Sequence, residues 1–185
     1  MPNYKNLLRL LENAKKIAEP FKRRLYVLAV ITKALENFKI KPVLIGGGAV
    51  EYYTFGGYAT QDMDLAVENH EKLDYVLRKL KFKKEGRYWY REDLEVLIES
   101  PAGNLRLRGE TSPLSEVRIN NLKCYIIGIE DLVIDRLNGY VHWKWKDDLR
   151  WAREIVKNHS SDIDWKYLRK RAKEEKVSSA LKELK

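Results

Sequence analysis

The chain has 185 residues, with 36 Lys and Arg against 27 Asp and Glu, giving a net charge of +9 and a pI near 9.4. That length sets one domain, or one domain with a helical appendage, able to bury a core, and the charge balance favours polyanionic partners. The single cysteine, Cys124, excludes an internal disulfide framework and a cysteine-built metal cluster, no run is apolar for long enough to span a bilayer, and the N-terminal MPNYKNLLRLLENAKK lacks a signal peptide's apolar core and cleavage site, so the expectation is a cytoplasmic protein with no membrane partner.

Residues 4–18 place Leu7, Leu8, Leu11, Ala14, Ile17 and Ala18 at helical spacing before Pro20 interrupts. A second helix over 21–38 carries Leu25, Leu28, Ala29, Ile31, Thr32 and Leu35. Both read as packing elements, with Lys15, Lys16, Lys22, Arg23 and Arg24 forming a solvated basic face.

The centre of the chain is 43–67, VLIGGGAVEYYTFGGYATQDMDLAV. Val43, Leu44 and Ile45 suit a short buried strand. Gly46, Gly47 and Gly48 follow, where the backbone is free to take positive φ and its N–H groups can approach an anion closely. Ala49 to Phe55 reads as a helix, so the glycines stand at a helix N-terminus, which favours phosphate. Asp62 to Val67 then alternates as a strand, which points Asp62 and Asp64 to one face about 7 Å apart. Two carboxylates so placed repel unless a cation lies between them, and hard oxygen ligands beside a phosphate turn suit Mg²⁺ or Mn²⁺. Thr60 is spaced to orient the first carboxylate.

Gly46-Gly47 after an apolar strand, a helix, then Thr60-Gln61-Asp62-Met63-Asp64-Leu65 resembles the polymerase-β-like nucleotidyltransferase superfamily. The likeness is greatest to the small branch of abortive-infection nucleotidyltransferase toxins and their uncharacterised prokaryotic relatives. The resemblance implies that the glycine turn holds the triphosphate of an NTP, that Asp62 and Asp64 bind metal, and that a third carboxylate on a neighbouring strand completes the site. One departure stands out: the relatives often read R-x-T-x-D, whereas here Tyr58 precedes Ala59 and Thr60.

His70 to Leu80 is a third amphipathic helix, with Leu73, Val76, Leu77 and Leu80 on one face. Arg87 to Tyr90 and Leu94 to Glu99 then form two strands joined by the polar turn Arg91-Glu92-Asp93, a hairpin expected beside the D-x-D strand. Within it Glu95, flanked by Leu94 and Val96, is the choice for the third carboxylate; Glu99 shares its face by period two and is the reserve, and Asp93 reads as a turn residue. The superfamily more often has aspartate there. The stretch from Pro101 to Pro113 is loop-like, and its Arg106 and Arg108 either clamp phosphate or lie solvated. Val117 to Ile119 and Leu122 to Ile127 make a second hairpin with an Asn120-Asn121 turn, in which Cys124 is a small buried hydrophobe.

From Ile129 the chain is helical, and Ile129-Glu130-Asp131-Leu132 to Leu137 followed by Lys146-Asp147 is similar to the relatives' E-D-L-I-x-x-K-L and K-D-x-x-D. Arg136 replaces the lysine of the first motif and Arg150 the last aspartate of the second. The resemblance makes Lys146 a triphosphate ligand. The end, 164–185, is a basic amphipathic segment that either docks on the core or binds RNA phosphates. His70, His142 and His159 are scattered and read as surface or structural residues.

The expected fold is α/β (α+β), a small mixed nucleotidyltransferase-type sheet with flanking helices: one domain, with N-terminal helices over 1–40, a sheet core over 41–128 and a helical C-terminal region over 129–185. The expected function is Mg²⁺-dependent transfer of a nucleotidyl group from an NTP to an RNA (tRNA among them), protein or small-molecule hydroxyl. The alternative is a weakened module of the same fold that binds RNA or a partner protein, in a toxin–antitoxin pair for example.

Overall fold

The structure, a computed structural model, describes residues 2–101 and 113–184. Arg106 and Arg108 lie outside the described residues.

Two helices open the chain, α1 (Tyr4–Ala14) and α2 (Pro20–Leu35), each started by a side chain that accepts from the free N–H groups of the first turn, Asn3 for α1 and Glu19 for α2. Pro20 occupies the first turn of α2, where its missing N–H costs nothing. A 3₁₀ turn over Glu36–Phe38 then ends at Lys39 in the left-handed region. The chain continues through β1 (Val43–Ile45), α3 (Gly46–Tyr53), β2 (Asp62–Ala66), α4 (His70–Lys79), β3 (Lys83–Glu85), β4 (Tyr88–Arg91) and β5 (Val96–Glu99). After the loop come β6 (Leu114–Ile119), β7 (Leu122–Ile127), α5 (Ile129–Trp143), α6 (Lys146–Asn158), α7 (Trp165–Glu174) and α8 (Ser178–Lys182). Lys83–Glu85 is exposed throughout and has no apolar alternation, so this strand carries no sequence signal; it exists because it pairs with β4.

The strands form one mixed sheet in the order β3-β4-β5-β2-β1-β7-β6. At its centre β1 runs antiparallel to β2 and parallel to β7, while β2 runs parallel to β5. Alternation decides the faces: Met63 and Leu65 of β2 and Val96 and Ile98 of β5 are buried on one side, which sends Asp62, Asp64 and Glu99 to the other.

From Arg24 onward α2 is buried except at Lys33, and it packs on β7, α1 and α4. Of the five basic residues expected on a solvated face, Lys15, Lys16 and Lys22 are exposed, whereas Arg23 is half-buried and Arg24 buried. Arg24 forms a buried ion pair with Glu51 at 2.7 Å, Arg23 pairs with Glu95, and Lys15 reaches Asp93 at 2.9 Å. Cys124 is buried on β7, and burial pushes its thiol up to about 12. The C-terminal segment docks, burying Leu168, Ala172, Val177, Ala180 and Leu181. The first two acids of α5 secure it. Glu130 accepts from the backbone N–H of Asp164 at 2.7 Å just ahead of α7, and Asp131 takes Tyr167 Oη at 3.0 Å and Arg171 Nε at 3.0 Å. Among the described residues no helix is long and apolar enough to cross a membrane.

Candidate active site

β1 delivers the chain to Gly46, whose φ is +58°. A Cβ there would stand 2.3 Å from Asp64 Oδ2, so close approach of the backbone to this carboxylate excludes any larger residue. The next amide, of Gly47, stands close enough to pull the Asp64 carboxyl down. Gly47 itself has little room, since a Cβ on it would lie 3.1 Å from Tyr58 Cε1 and 3.3 Å from Thr60 Cβ. The glycine turn thus seats Asp64 against the start of α3. The other amides of that first turn have no partner within the helix and leave donors for a further anion.

Asp62 and Asp64 point to one face of β2, as the alternation predicts. Thr60 Oγ1 donates to Asp62 Oδ1 at 2.5 Å, which fixes the first carboxylate. The parallel pairing of β2 with β5 sets Glu99 directly across from Asp64. Ligand oxygens of Asp62, Asp64 and Glu99 all lie within 4.8 Å of one another. Confinement of like charges has an electrostatic signature: burial first, then the charges of Asp62 and Glu99, push the Asp64 carboxyl up to about 6, against the opposing pull of the Gly47 amide and of Arg136. Arg87, on the turn ahead of β4, lies 3.3 Å from Glu99 and offsets part of the charge.

Glu95 is not part of this group. Residues Glu92–Leu94 coil into a 3₁₀ turn, Glu95 caps it at φ +52°, and β5 starts only at Val96. Its side chain, 73% exposed, pairs with Arg23 on α2. A strand rises about 3.3 Å per residue, so Glu95 stands at the far end of β5, about 13 Å along the strand from Glu99. The period-two reading had the parity right and the strand's start wrong. Asp93 is a turn residue, held by Arg91 and Lys15. Lys146 opens α6 on the exposed surface and makes no hydrogen bond to the carboxylates.

Arg136 is a second basic residue whose charge reaches the cluster. It is largely buried, its charge is felt by Asp64 and Tyr58, and it is held by Asp135 (Nη2 to Oδ2, 2.5 Å) and by Asp148 (Nη1 to Oδ1, 3.0 Å). The sequence signal was its place in the helix motif after Glu130-Asp131-Leu132. Asp148 carried no such signal. It is buried over Gly139, where a Cβ would lie 1.8 Å from its Oδ2, and that oxygen has no hydrogen-bond partner. Tyr58, at the place of the expected arginine, packs edge-on against Trp151 with ring centroids 5.0 Å apart.

A helix N-terminus facing three convergent carboxylates on adjacent strands of a small mixed sheet defines a nucleotidyltransferase-type fold. Comparison with solved structures agrees. The chain superposes on the crystal structure of an antigenic nucleotidyltransferase-like protein from Paracoccidioides brasiliensis with a TM-score of 0.59, covering 92% of this chain and 93% of that one at 16% sequence identity. No protein-family model matches the sequence, and no curated protein matches it.

Proposed function

We propose that the protein is a Mg²⁺-dependent nucleotidyltransferase, carried above all by the convergence of Asp62, Asp64 and Glu99 beside the glycine-opened start of α3. The donor set fits the ion. Oxygens on opposite sides of an octahedral Mg²⁺ are about 4.2 Å apart, and the three carboxylates already lie within 4.8 Å, their mutual repulsion only partly offset by Arg87 and Arg136. Bound there, Mg²⁺ or Mn²⁺ supplies charge neutralisation to the NTP phosphates and Lewis-acid polarisation at the reacting phosphorus.

The chain's own residues do the rest. Amides of the first turn of α3 hold phosphate oxygens, and Thr60 keeps Asp62 aimed. Arg136, pre-set by Asp135 and Asp148, presents positive charge to the triphosphate, the role that the resemblance gives to Lys146. The acceptor hydroxyl attacks the α-phosphorus in line and pyrophosphate leaves, so positioning and charge neutralisation supply most of the acceleration. The net charge of +9 favours an RNA hydroxyl over a protein or small-molecule one. A place in a toxin–antitoxin pair agrees with the sequence resemblance and is tested by a gene for a cognate partner beside this one.

The deciding experiment is the thermal unfolding midpoint with each NTP plus Mg²⁺, for wild type and Asp62→Asn. Ligand at a hundred times its Kd adds about 2.7 kcal/mol to the folded state. A metal-dependent rise in wild type that the variant lacks supports the reading; no rise with any NTP sinks it. Tyr58 in place of the expected arginine favours the second reading, a module of this fold that binds without catalysis, and that reading predicts indifference to Asp62→Asn.

A further inference from the structure

The corner between α5 and α6 carries a feature that the carboxylate site does not use. Trp143 ends α5, Lys144 turns the chain at φ +62°, Trp145 precedes α6 and Lys146 opens it. The two indoles are 62% and 58% exposed and pack against each other with centroids 5.2 Å apart at 42°. By contrast Trp89 is 2% exposed, and Trp151 and Trp165 pack against the core. Large aromatics held together in solvent forgo burial that a fold ordinarily gives them, and mark a surface that contacts something else.

A line of contacts runs from this corner to Arg136. Arg136, Gly139 and Trp143 fall at i, i+3 and i+7 on one face of α5, about 10 Å along the axis. The face is built to carry Trp145 as well: Gly139 has no side chain, and a Cβ there would meet Asp148 and lie 3.4 Å from Trp145 Cε3. Asp148 in turn holds Arg136, whose charge reaches Asp64. Lys144 and Lys146 are exposed at this corner, with Asp147 beside them. His142 donates to the carbonyl of Glu175, which brings Lys176 beside the corner, and the carboxylates of Glu174 and Glu175 are engaged by Arg171.

We propose that Trp143 and Trp145 form a stacking platform for unpaired bases of a single-stranded RNA, with Lys144 and Lys146 on its phosphates, so that the strand is held about two helical turns along α5 from Arg136. Alternation of aromatic and cationic side chains matches a strand's alternation of base and phosphate. Exposed indole faces accept any base, which gives affinity with little sequence preference, and the lysines add a salt-dependent part. This rests on the nucleotidyltransferase reading only for its consequence, that the bound strand is the acceptor.

The test is fluorescence anisotropy of an end-labelled twelve-nucleotide single-stranded RNA with the full chain, in EDTA and without NTP. Trp143→Ala/Trp145→Ala is expected to weaken binding by about tenfold or more, while Trp143→Phe/Trp145→Phe retains most of it; both positions are exposed, so the unfolding midpoint stays unchanged. Lys144→Ala/Lys146→Ala is expected to flatten the salt dependence. The proposal is overturned if the alanine variant binds like wild type, if a duplex of the same sequence binds as tightly as the single strand, if wild type binds no RNA, or if wild type elutes as a dimer that the alanine variant abolishes. Asp62→Asn is expected to bind the strand like wild type. Strand binding that persists where no NTP gives a metal-dependent shift sinks the catalytic reading and leaves the platform standing; the reverse result sinks the platform alone.

Discussion

Glu99 stands directly opposite Asp64 in the parallel pairing of β2 and β5, and this register assembles the acidic site. Glu95, in the same hairpin, is held by Arg23 at the other end of β5. The two glutamates give opposite predictions. Glu99→Gln is expected to abolish the Mg²⁺-dependent rise in unfolding midpoint with NTP, a rise of roughly 5–10 °C for a chain of this size at a ligand excess worth about 2.7 kcal/mol. Glu95→Gln is expected to keep it. Loss in the Glu95 variant with retention in the Glu99 variant would remove Glu99 from the site.

The carboxylate cluster also predicts a conflict between stability and function. Asp64 is confined with Asp62 and Glu99, and burial adds to their repulsion. Asp64→Asn removes a charge at nearly constant volume, so the metal-free protein is expected to unfold a few degrees higher than wild type. The same variant loses its response to Mg²⁺. Melting both proteins in EDTA and in excess Mg²⁺ checks the two halves together, and a variant less stable than wild type in EDTA counts against the repulsion.

The outcome shows where physical signals in a sequence are strong. β1, the glycines and the two aspartates were legible because each follows from a short-range rule: a β-branched run, an absent Cβ and a period of two. Glu99 was not separable from Glu95, because both have apolar neighbours and the same parity. What distinguishes them is the 3₁₀ turn at Glu92–Leu94, which Arg91 helps to hold by reaching Asp93, Glu12 and the carbonyl of Leu80. Of those partners, Glu12 and Leu80 are distant in sequence and carry no local pattern. Arg24 misled for a related reason. Its charge placed it outside, but Glu51 on α3 supplies a buried partner that only the packing of α2 makes available.

Two glycines separate conformational from steric requirements. Gly46 and Gly86 both have φ of +58°, but a Cβ on Gly86 meets nothing within 4 Å while one on Gly46 meets Asp64. Gly86→Ala is expected to cost about 1–2 kcal/mol, the penalty of a left-handed alanine, and to leave the NTP response intact. Gly46→Ala is expected to cost more and to eliminate the response, because Asp64 must move. Equal effects of the two substitutions on stability and on NTP binding would show that the contact with Asp64 is immaterial.

Asp93 gives a pH dependence remote from the carboxylate cluster. A hydrogen bond from Arg91 above all, then one from Lys15, holds its carboxyl down at about 2, below the ordinary 3.8. A carboxyl whose folded value is depressed stabilises the fold above the unfolded value, and that stabilisation is lost as pH falls through the folded one. The unfolding midpoints of wild type and Asp93→Asn are therefore expected to differ at pH 7, with wild type higher, and to converge between about pH 4 and pH 2. Since Asp93 is substantially exposed, the gap at pH 7 is expected to be small and to shrink further in high salt. A gap that persists unchanged at pH 2 would place the contribution of Asp93 in its neutral hydrogen bonds and not in its charge.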